Sequence, residues 1–129
     1  MESMPKKILV ADDSRIILKV MRRSLEAEGY SVVEASDGLQ ALNLLGSDAD
    51  VGLVICDLRM PQMGGLDLLE AIQKGNAQSH AASPKFVIMS SDSDPALASR
   101  AKQLGASGWL MKPATPDRLL RTARKLLGG

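Results

Sequence analysis

The sequence predicts an α/β protein in which one doubly wound sheet of five parallel strands is flanked by five helices. Short apolar runs alternate with helical patterns five times along the 129 residues, and no internal repeat interrupts the alternation. Strands one, three and four are apolar almost throughout, which is typical of parallel strands buried on both faces. Helices on both faces of such a sheet make a three-layer sandwich.

The first two strand–helix units cover residues 7–46. "KILVA" (Lys7–Ala11) and "YSVVEA" read as strands. Between them, "SRIILKVMRRSLEAEGY" has a helical pattern that ends at Gly29, and the predicted buried face consists of Ile17, Val20, Met21 and Leu25. Asp37 is placed to cap the second helix, "GLQALNLL".

The remaining units follow the same order. "VGLVIC", "KFVIM" and "GWLM" are the third, fourth and fifth strands, and "LDLLEAIQK" is the third helix. Asp94 before Pro95, and Thr115 before Pro116, are capping residues followed by proline at the first helical position. The last helix has an apolar stripe, namely Leu119, Leu120, Ala123, Leu126 and Leu127. Residues 75–84 are predicted to form a polar loop.

Composition excludes several classes of function. A formal net charge of +1 and only three aromatic residues give no surface for nucleic acid. No apolar run approaches the roughly 20 residues of a membrane span, and the start of the chain lacks a signal-peptide core. Cys56 is the only cysteine, so a reducing, cytoplasmic location is expected. The length suits one domain, residues 1–129, with a short tail at 1–5.

Acidic, hydroxyl and cationic side chains follow the strands at their carboxyl ends. Asp12 and Asp13 follow the first strand, Asp57 the third, Ser90 the fourth and Lys112 the fifth. Each has an ordinary structural explanation, such as a helix cap or a surface lysine. In a parallel sheet, however, all of them share one edge, where ligand sites form. Three neighbouring carboxylates repel one another unless a cation lies among them, and Mg²⁺ prefers such oxygen ligands.

Four sequence blocks, in this order, resemble the receiver domain of two-component response regulators, and most closely its single-domain chemotaxis-regulator type. The blocks are "LVADDS", "VICDLRMPQMGG", "VIMSSD" and "GASGWLMKP", and the resemblance covers about residues 6–127. It implies a flavodoxin-like sheet with the strand order 2-1-3-4-5. It also implies a signalling protein rather than an enzyme, one that phosphorylates itself from its donor and slowly dephosphorylates itself.

The resemblance assigns the acids to a phosphorylation site. Asp57 would accept a phosphoryl group from a sensor histidine kinase or a histidine phosphotransfer protein. Asp12, Asp13, Asp57 and the backbone carbonyl of Arg59 would bind Mg²⁺, with Mn²⁺ as the alternative ion. A carboxylate is a competent nucleophile for this transfer because it forms an acyl phosphate.

The other matching residues would contact the phosphoryl group or report its presence. Lys112 would contact it, with Pro113 following in a cis peptide bond, and Ser90 would hydrogen-bond to it. Ser90 and Trp109 would form the conformational switch, although the family usually has Thr and Tyr or Phe at these positions. A downstream protein would bind the fourth helix, fifth strand and fifth helix, at about residues 95–127.

Arg59 and Asp92 flank the predicted site and are expected to modulate the lifetime of the phosphate. The sequence leaves open whether Arg59 orders an attacking water or blocks it.

Three other classes of protein are alternatives to the receiver domain. A Mg²⁺-dependent phosphatase or phosphotransferase of the haloacid-dehalogenase type also forms an aspartyl phosphate, but it expects an Asp-x-Asp pair after its first strand, where this chain has "ADDS". A flavin-binding electron carrier would need a phosphate loop and flanking aromatics. A degenerate receiver that only binds partners would not be expected to keep the acids and Lys112. The sequence does not identify the kinase, the target or the pathway, and a piece of a longer regulator is as compatible with it as a stand-alone protein.

Overall fold

The computed structural model describes residues 7–48, 50–75 and 84–128. The predicted tail at residues 1–5 and most of the predicted polar loop lie outside these ranges.

Five parallel strands form one sheet with the order β2-β1-β3-β4-β5, as the resemblance implied. The strands are β1 (Lys7–Ala11), β2 (Ser31–Ala35), β3 (Val51–Asp57), β4 (Lys85–Ser90) and β5 (Gly108–Met111). The helices are α1 (Arg15–Glu26), α2 (Gly38–Ser47), α3 (Gly65–Gln73), α4 (Pro95–Gln103) and α5 (Pro116–Leu127). The order reverses at β1, so β1 and β3 lie side by side although β2 separates them in sequence. This reversal is where ligand sites form in such sheets.

Side-chain caps begin four of the helices. Ser14, Asp37, Asp94 and Thr115 each accept a hydrogen bond from a backbone N–H in the first turn of their helix. The sequence predicts three of these caps, Asp37, Asp94 and Thr115, and the structure confirms them. A side-chain oxygen at this position satisfies an N–H group that has no partner within the helix, which fixes where the helix starts.

The core consists of two layers, one on each face of the sheet. One layer packs under α2, α3 and α4, and the other under α1 and α5. Cys56 is fully buried in the first layer, and burial raises the pKa of its thiol, which agrees with a packing role. No helix in the described ranges is both long enough and apolar enough to cross a membrane.

The predicted buried face of α1 is confirmed at Met21 and Leu25, is wrong at Val20, and omits Leu18. Leu18, Met21 and Leu25 are buried, whereas Val20 is 50% exposed and Ile17 is only partly buried. The helix has more apolar residues than one face can hold, so two adjacent rows fit the 3.6-residue period. Packing against the sheet and α5 selects between them, and the rejected row remains at the surface.

Candidate functional site

Three carboxylates meet at the carboxyl ends of β1 and β3. Asp12 follows β1 directly and is 1% exposed, Asp13 is exposed, and Asp57 ends β3 at 7% exposure. Pairing of Ala11 with Cys56 in the β1–β3 ladder places the two strand ends next to each other. Carboxylate oxygens of the three acids lie within 4.8 Å of one another. The sequence prediction that these acids share one edge is therefore confirmed.

Asp12 is the most deeply buried of the three carboxylates. Its Oδ1 accepts the backbone N–H of Ser14 at 2.9 Å. Its Oδ2 is buried and makes no hydrogen bond with the described residues, although the Lys112 ammonium lies 3.4 Å away as an ion pair. Burial raises the pKa of Asp12, and the charge of Asp57 raises it further, while the Ser14 N–H and Lys112 act in the opposite direction. The buried Oδ2 of Asp12 and the oxygens of the two neighbouring carboxylates together form a set of hard donors that fits Mg²⁺.

Lys112 supplies the one positive charge that the described residues place among these acids. Its Nζ donates to Asp57 Oδ2 at 2.9 Å and lies 3.4 Å from Asp12 Oδ2. Burial lowers the pKa of Lys112, but the hydrogen bond to Asp57 and the charges of both acids outweigh it, so the pKa is raised. The Lys112–Pro113 peptide bond is cis, as expected, and the Lys112 N–H donates to the Ser90 carbonyl at 2.9 Å.

The turn after Asp57 depends on close backbone packing. The N–H of Gly65 donates to the carbonyl of Leu58 at 3.0 Å, and a Cβ at Gly65 would lie 2.8 Å from the Asp57 carbonyl oxygen. Gln62 has a positive φ of 69°, a conformation that few non-glycine residues adopt. Sequence reasoning identified the Pro- and Gly-rich turn but not the strain at Gln62, because no local signal marks a glutamine for that conformation.

The two predicted switch residues lie on the same face of the sheet. Ser90 ends β4 at 3% exposure, and its Oγ accepts the N–H of Asp92 at 2.8 Å. Trp109 pairs with Ile88 in the β4–β5 ladder, two residues before Ser90, and successive strand residues alternate between faces. Trp109 also lines a groove of about 240 Å³ shared with α4 residues, including Ala98. The groove gives the indole ring space on the side of the sheet that α4 covers.

Arg59 and Asp92, which follow β3 and β4, form an ion pair with each other. Arg59 Nη2 donates to Asp92 Oδ2 at 2.7 Å. The backbone N–H of Asp94 and then the Arg59 side chain lower the pKa of Asp92. The sequence placed both residues near the site but did not predict that they pair, because 33 positions separate them in the chain.

Sequence reasoning missed an apolar groove beside Lys112. It has a volume of about 480 Å³ between α1 and the segment after β5, and its lining includes Ile16, Val20, Pro113 and Ala114. Ile16 is 77% exposed and Val20 50%. The available signal was the surplus of apolar residues in α1 beyond those that one buried face can use.

The fold and the site define an α/β protein with a cluster of three carboxylates, one of them at a strand end, beside a lysine ammonium. The response regulator receiver domain family matches residues 8–124. The chain belongs to this family, whose members are phosphoacceptor signalling proteins that use Mg²⁺ at an acidic cluster. The family that the four sequence blocks resemble is therefore confirmed.

Named relatives agree with this membership. The chain is 31% identical over 123 residues to the chemotaxis protein CheY1 of Helicobacter pylori, covering 95% of this chain and 97% of CheY1. It is 34% identical over 120 residues to the two-component response regulator ORR7 of Oryza sativa subsp. japonica, covering 93% of this chain. The chain spans 56% of the length of ORR7.

Solved structures show the same fold. The chemotaxis protein CheY4 of Vibrio cholerae superposes with a TM-score of 0.83 at 30% identity, covering 94% of this chain and 98% of CheY4. A response regulator from Burkholderia pseudomallei, solved with a phosphorylated aspartic acid and a calcium ion, superposes with a TM-score of 0.78 at 27% identity. That match covers 95% of this chain and 66% of the Burkholderia chain. The phosphatase alternative is not favoured by any of these comparisons.

Proposed function

We propose that Asp57 is the phosphoacceptor of this receiver domain and takes its phosphoryl group from a phosphohistidine of a sensor kinase or phosphotransfer protein. The observation that supports this most directly is the contact of Asp57 with both parts of the site. It lies in the three-carboxylate cluster, and its Oδ2 accepts the Lys112 ammonium at 2.9 Å. The related Burkholderia protein, with its phosphorylated aspartic acid, supports the same chemistry here.

In the proposed transfer, a carboxylate oxygen of Asp57 forms a bond to phosphorus while the bond from phosphorus to the histidine nitrogen breaks. The imidazole leaves and an acyl phosphate remains. Asp12, Asp13, Asp57 and the Arg59 carbonyl would hold Mg²⁺, or alternatively Mn²⁺, which supplies charge neutralisation for the phosphoryl oxygens. Lys112 stays close enough to neutralise a further oxygen. Because the last five residues of β3 are all buried, the acceptor is held rigidly at the open edge of the sheet.

The donor, in our proposal, docks on the groove beside Lys112. The groove presents the exposed side chains of Ile16 and Val20 next to the acceptor. Arg15 and Lys19, on the same helix, carry no ion pair that the described residues show, so they can receive acidic groups of the donor. A helical segment with apolar and acidic side chains would fit this surface.

The output follows through Ser90 and Trp109. Ser90 would turn toward the phosphoryl group and Trp109 would move inward, changing the surface of α4, β5 and α5 that binds a downstream protein. Arg59 and Asp92 would set the lifetime of the phosphate, which the protein removes slowly by itself. The receiver domain would occupy residues 1–129 and act in the cytoplasm, without turning over a small-molecule substrate and without binding nucleic acid directly.

Acetyl phosphate provides the test. Intact-mass spectrometry of the wild type should show one phosphoryl adduct with Mg²⁺ and none with EDTA, and the variant Asp57→Asn should show none in either condition. Asp117→Asn removes an exposed carboxylate from α5 and serves as the matched control, which should behave as the wild type does. An adduct that persists in Asp57→Asn would contradict the assignment. Sustained hydrolysis of p-nitrophenyl phosphate would instead restore the phosphatase alternative.

A further inference from the structure

An ion pair joins the loop that follows the proposed acceptor to the loop between β4 and α4. Arg59 lies two residues after Asp57, in the turn before α3, and Asp92 lies between β4 and α4. The Arg59 side chain is 73% exposed and that of Asp92 is 32% exposed, yet the two charged groups are in contact at 2.7 Å. This pair is the link that the described residues show between the acceptor turn and the β4–α4 loop on the solvent side.

Asp92 also connects Arg59 with the start of α4 and with Ser90. Its Oδ1 accepts the N–H of Asp94 at 2.9 Å, and Asp94 in turn caps α4 by accepting the N–H of Ala96 at 2.9 Å. The N–H of Asp92 donates to Ser90 Oγ at 2.8 Å. The carboxylate of Asp92 therefore contacts the Arg59 guanidinium and the capping residue Asp94, and its backbone N–H contacts the buried hydroxyl of Ser90.

α4 is weakly held by packing, so its terminal contacts have a large influence on its position. Ala101 is its only buried residue, whereas α3 buries five of its residues. Elements with few buried apolar contacts open and shift at low free-energy cost. Contacts at the start of α4 can therefore decide where the helix sits.

We propose that the Arg59–Asp92 pair is a latch that holds the start of α4 in the unphosphorylated protein and that a phosphoryl group on Asp57 opens it. This inference rests on the proposed function of Asp57. An acyl phosphate on Asp57 carries about two negative charges, where the free carboxylate carried one, and it adds three strong acceptor oxygens. Arg59 can then exchange Asp92 for phosphoryl oxygens, since charge-assisted bidentate contacts are the strongest that a guanidinium makes. Asp92 loses its cation, and both the cap of α4 and the Ser90 hydroxyl lose a fixed neighbour.

The latch must act in both directions, because coupling between two equilibria is reciprocal. If the phosphoryl group removes Arg59 from Asp92, then Asp92 holds Arg59 back from the phosphoryl group. Removing the charge of Asp92 should therefore strengthen binding of a phosphoryl mimic. Exposed ion pairs have modest free energies, so the expected effect is about two- to fivefold in affinity.

Asp92→Asn isolates the charge, since an asparagine Oδ1 can still accept the N–H of Asp94. Arg59→Gln keeps the backbone carbonyl that is proposed to bind the metal. Beryllofluoride titrations with Mg²⁺, followed by the fluorescence of the single tryptophan, give the affinities of both variants and of the double variant. Hydrogen exchange of residues 94–98 reports on the start of α4. Asp117→Asn breaks a comparable exposed pair with Arg121 on α5 and is the matched control.

Asp92→Asn should bind beryllofluoride about two- to fivefold more tightly than the wild type. Its α4 start should already exchange faster without the mimic. The double variant should lose the gain in affinity, because it has no Arg59 to contact the mimic. The start of its α4 should exchange no faster than in either single variant, because all three variants lack the same Arg59–Asp92 contact. Unchanged affinity in Asp92→Asn, or additive effects in the double variant, would overturn the latch while leaving phosphorylation of Asp57 intact. A wild type that takes up no beryllofluoride would overturn the proposed function and the latch together.

Discussion

Replacing Lys112 by methionine tests whether the acid cluster is a charged site that needs a cation. The substitution keeps most of the aliphatic stem and removes the ammonium that lies 2.9 Å from Asp57 Oδ2 and 3.4 Å from Asp12 Oδ2. The Lys112 side chain is 24% exposed and the two acids are nearly buried. Breaking a buried pair costs about 3–5 kcal/mol and an exposed pair about 0–1 kcal/mol. We therefore expect the free energy of unfolding to fall by about 2 kcal/mol at pH 7.5 in EDTA.

The assay is thermal unfolding with and without Mg²⁺. An unfolding entropy of about 2.1 cal/mol/K per residue gives about 0.27 kcal/mol/K for 129 residues, so the melting temperature should fall by about 7 °C. Mg²⁺ should raise the melting temperature of the variant more than that of the wild type, because no ammonium competes for the same oxygens. Lys7→Met is the matched control, since Lys7 pairs with Asp48 at 2.8 Å and is 27% exposed, but away from the cluster. It should lose stability without a larger response to Mg²⁺.

The pH dependence of the stability lost in Lys112→Met tests whether the loss is one of charge. The pKa of Asp12 is raised by burial, so the folded state binds its proton more readily than the unfolded chain does. The contribution of Asp12 to stability therefore falls as pH rises above its unfolded pKa of about 3.9, and it falls more steeply once Lys112 no longer opposes this shift. The deficit of Lys112→Met should be smallest near pH 4 and grow toward neutrality. The pKa of Lys112 itself is raised, so its own charge is lost only at strongly alkaline pH. A deficit independent of both pH and Mg²⁺ would mean that packing, not charge, was lost.

Three further predictions concern the same edge of the sheet. Asp13→Ala should weaken Mg²⁺ binding and leave thermal stability in EDTA unchanged or higher, because it removes one of the repelling carboxylates; clear destabilisation in EDTA would make Asp13 a structural residue. In Ser90→Ala, Mg²⁺-beryllofluoride should still bind but should change the fluorescence of Trp109 less than in the wild type, and an equal change would refute the coupling. Gly65→Ala should lower the free energy of unfolding by about 1–3 kcal/mol in denaturant titrations and should slow phosphorylation of Asp57, because the new Cβ would lie 2.8 Å from the Asp57 carbonyl oxygen. Wild-type stability and a wild-type rate would show that α3 moves aside at no cost.

The sequence by itself determined the elements, the class of fold and the acid cluster. The apolar runs and the predicted caps Asp37, Asp94 and Thr115 are local signals, and a cap acts on the helix that follows it directly. Convergence of Asp12 and Asp57 also followed from the pattern, because parallel strands bring their carboxyl ends to one edge whatever the details of packing. The sequence blocks around these residues were also enough to recognise the family.

Only the tertiary structure decided which face of α1 is buried, which strained turn follows Asp57 and which charges pair across the site. Two rows of apolar side chains in α1 satisfy the helical period equally, and contact with the sheet and α5 selects the row that contains Leu18. Arg59 and Asp92 lie in different loops, and no local propensity records that these loops meet. Long side chains in exposed loops pair according to the final positions of the backbones, and those positions are set by the packing of the whole domain.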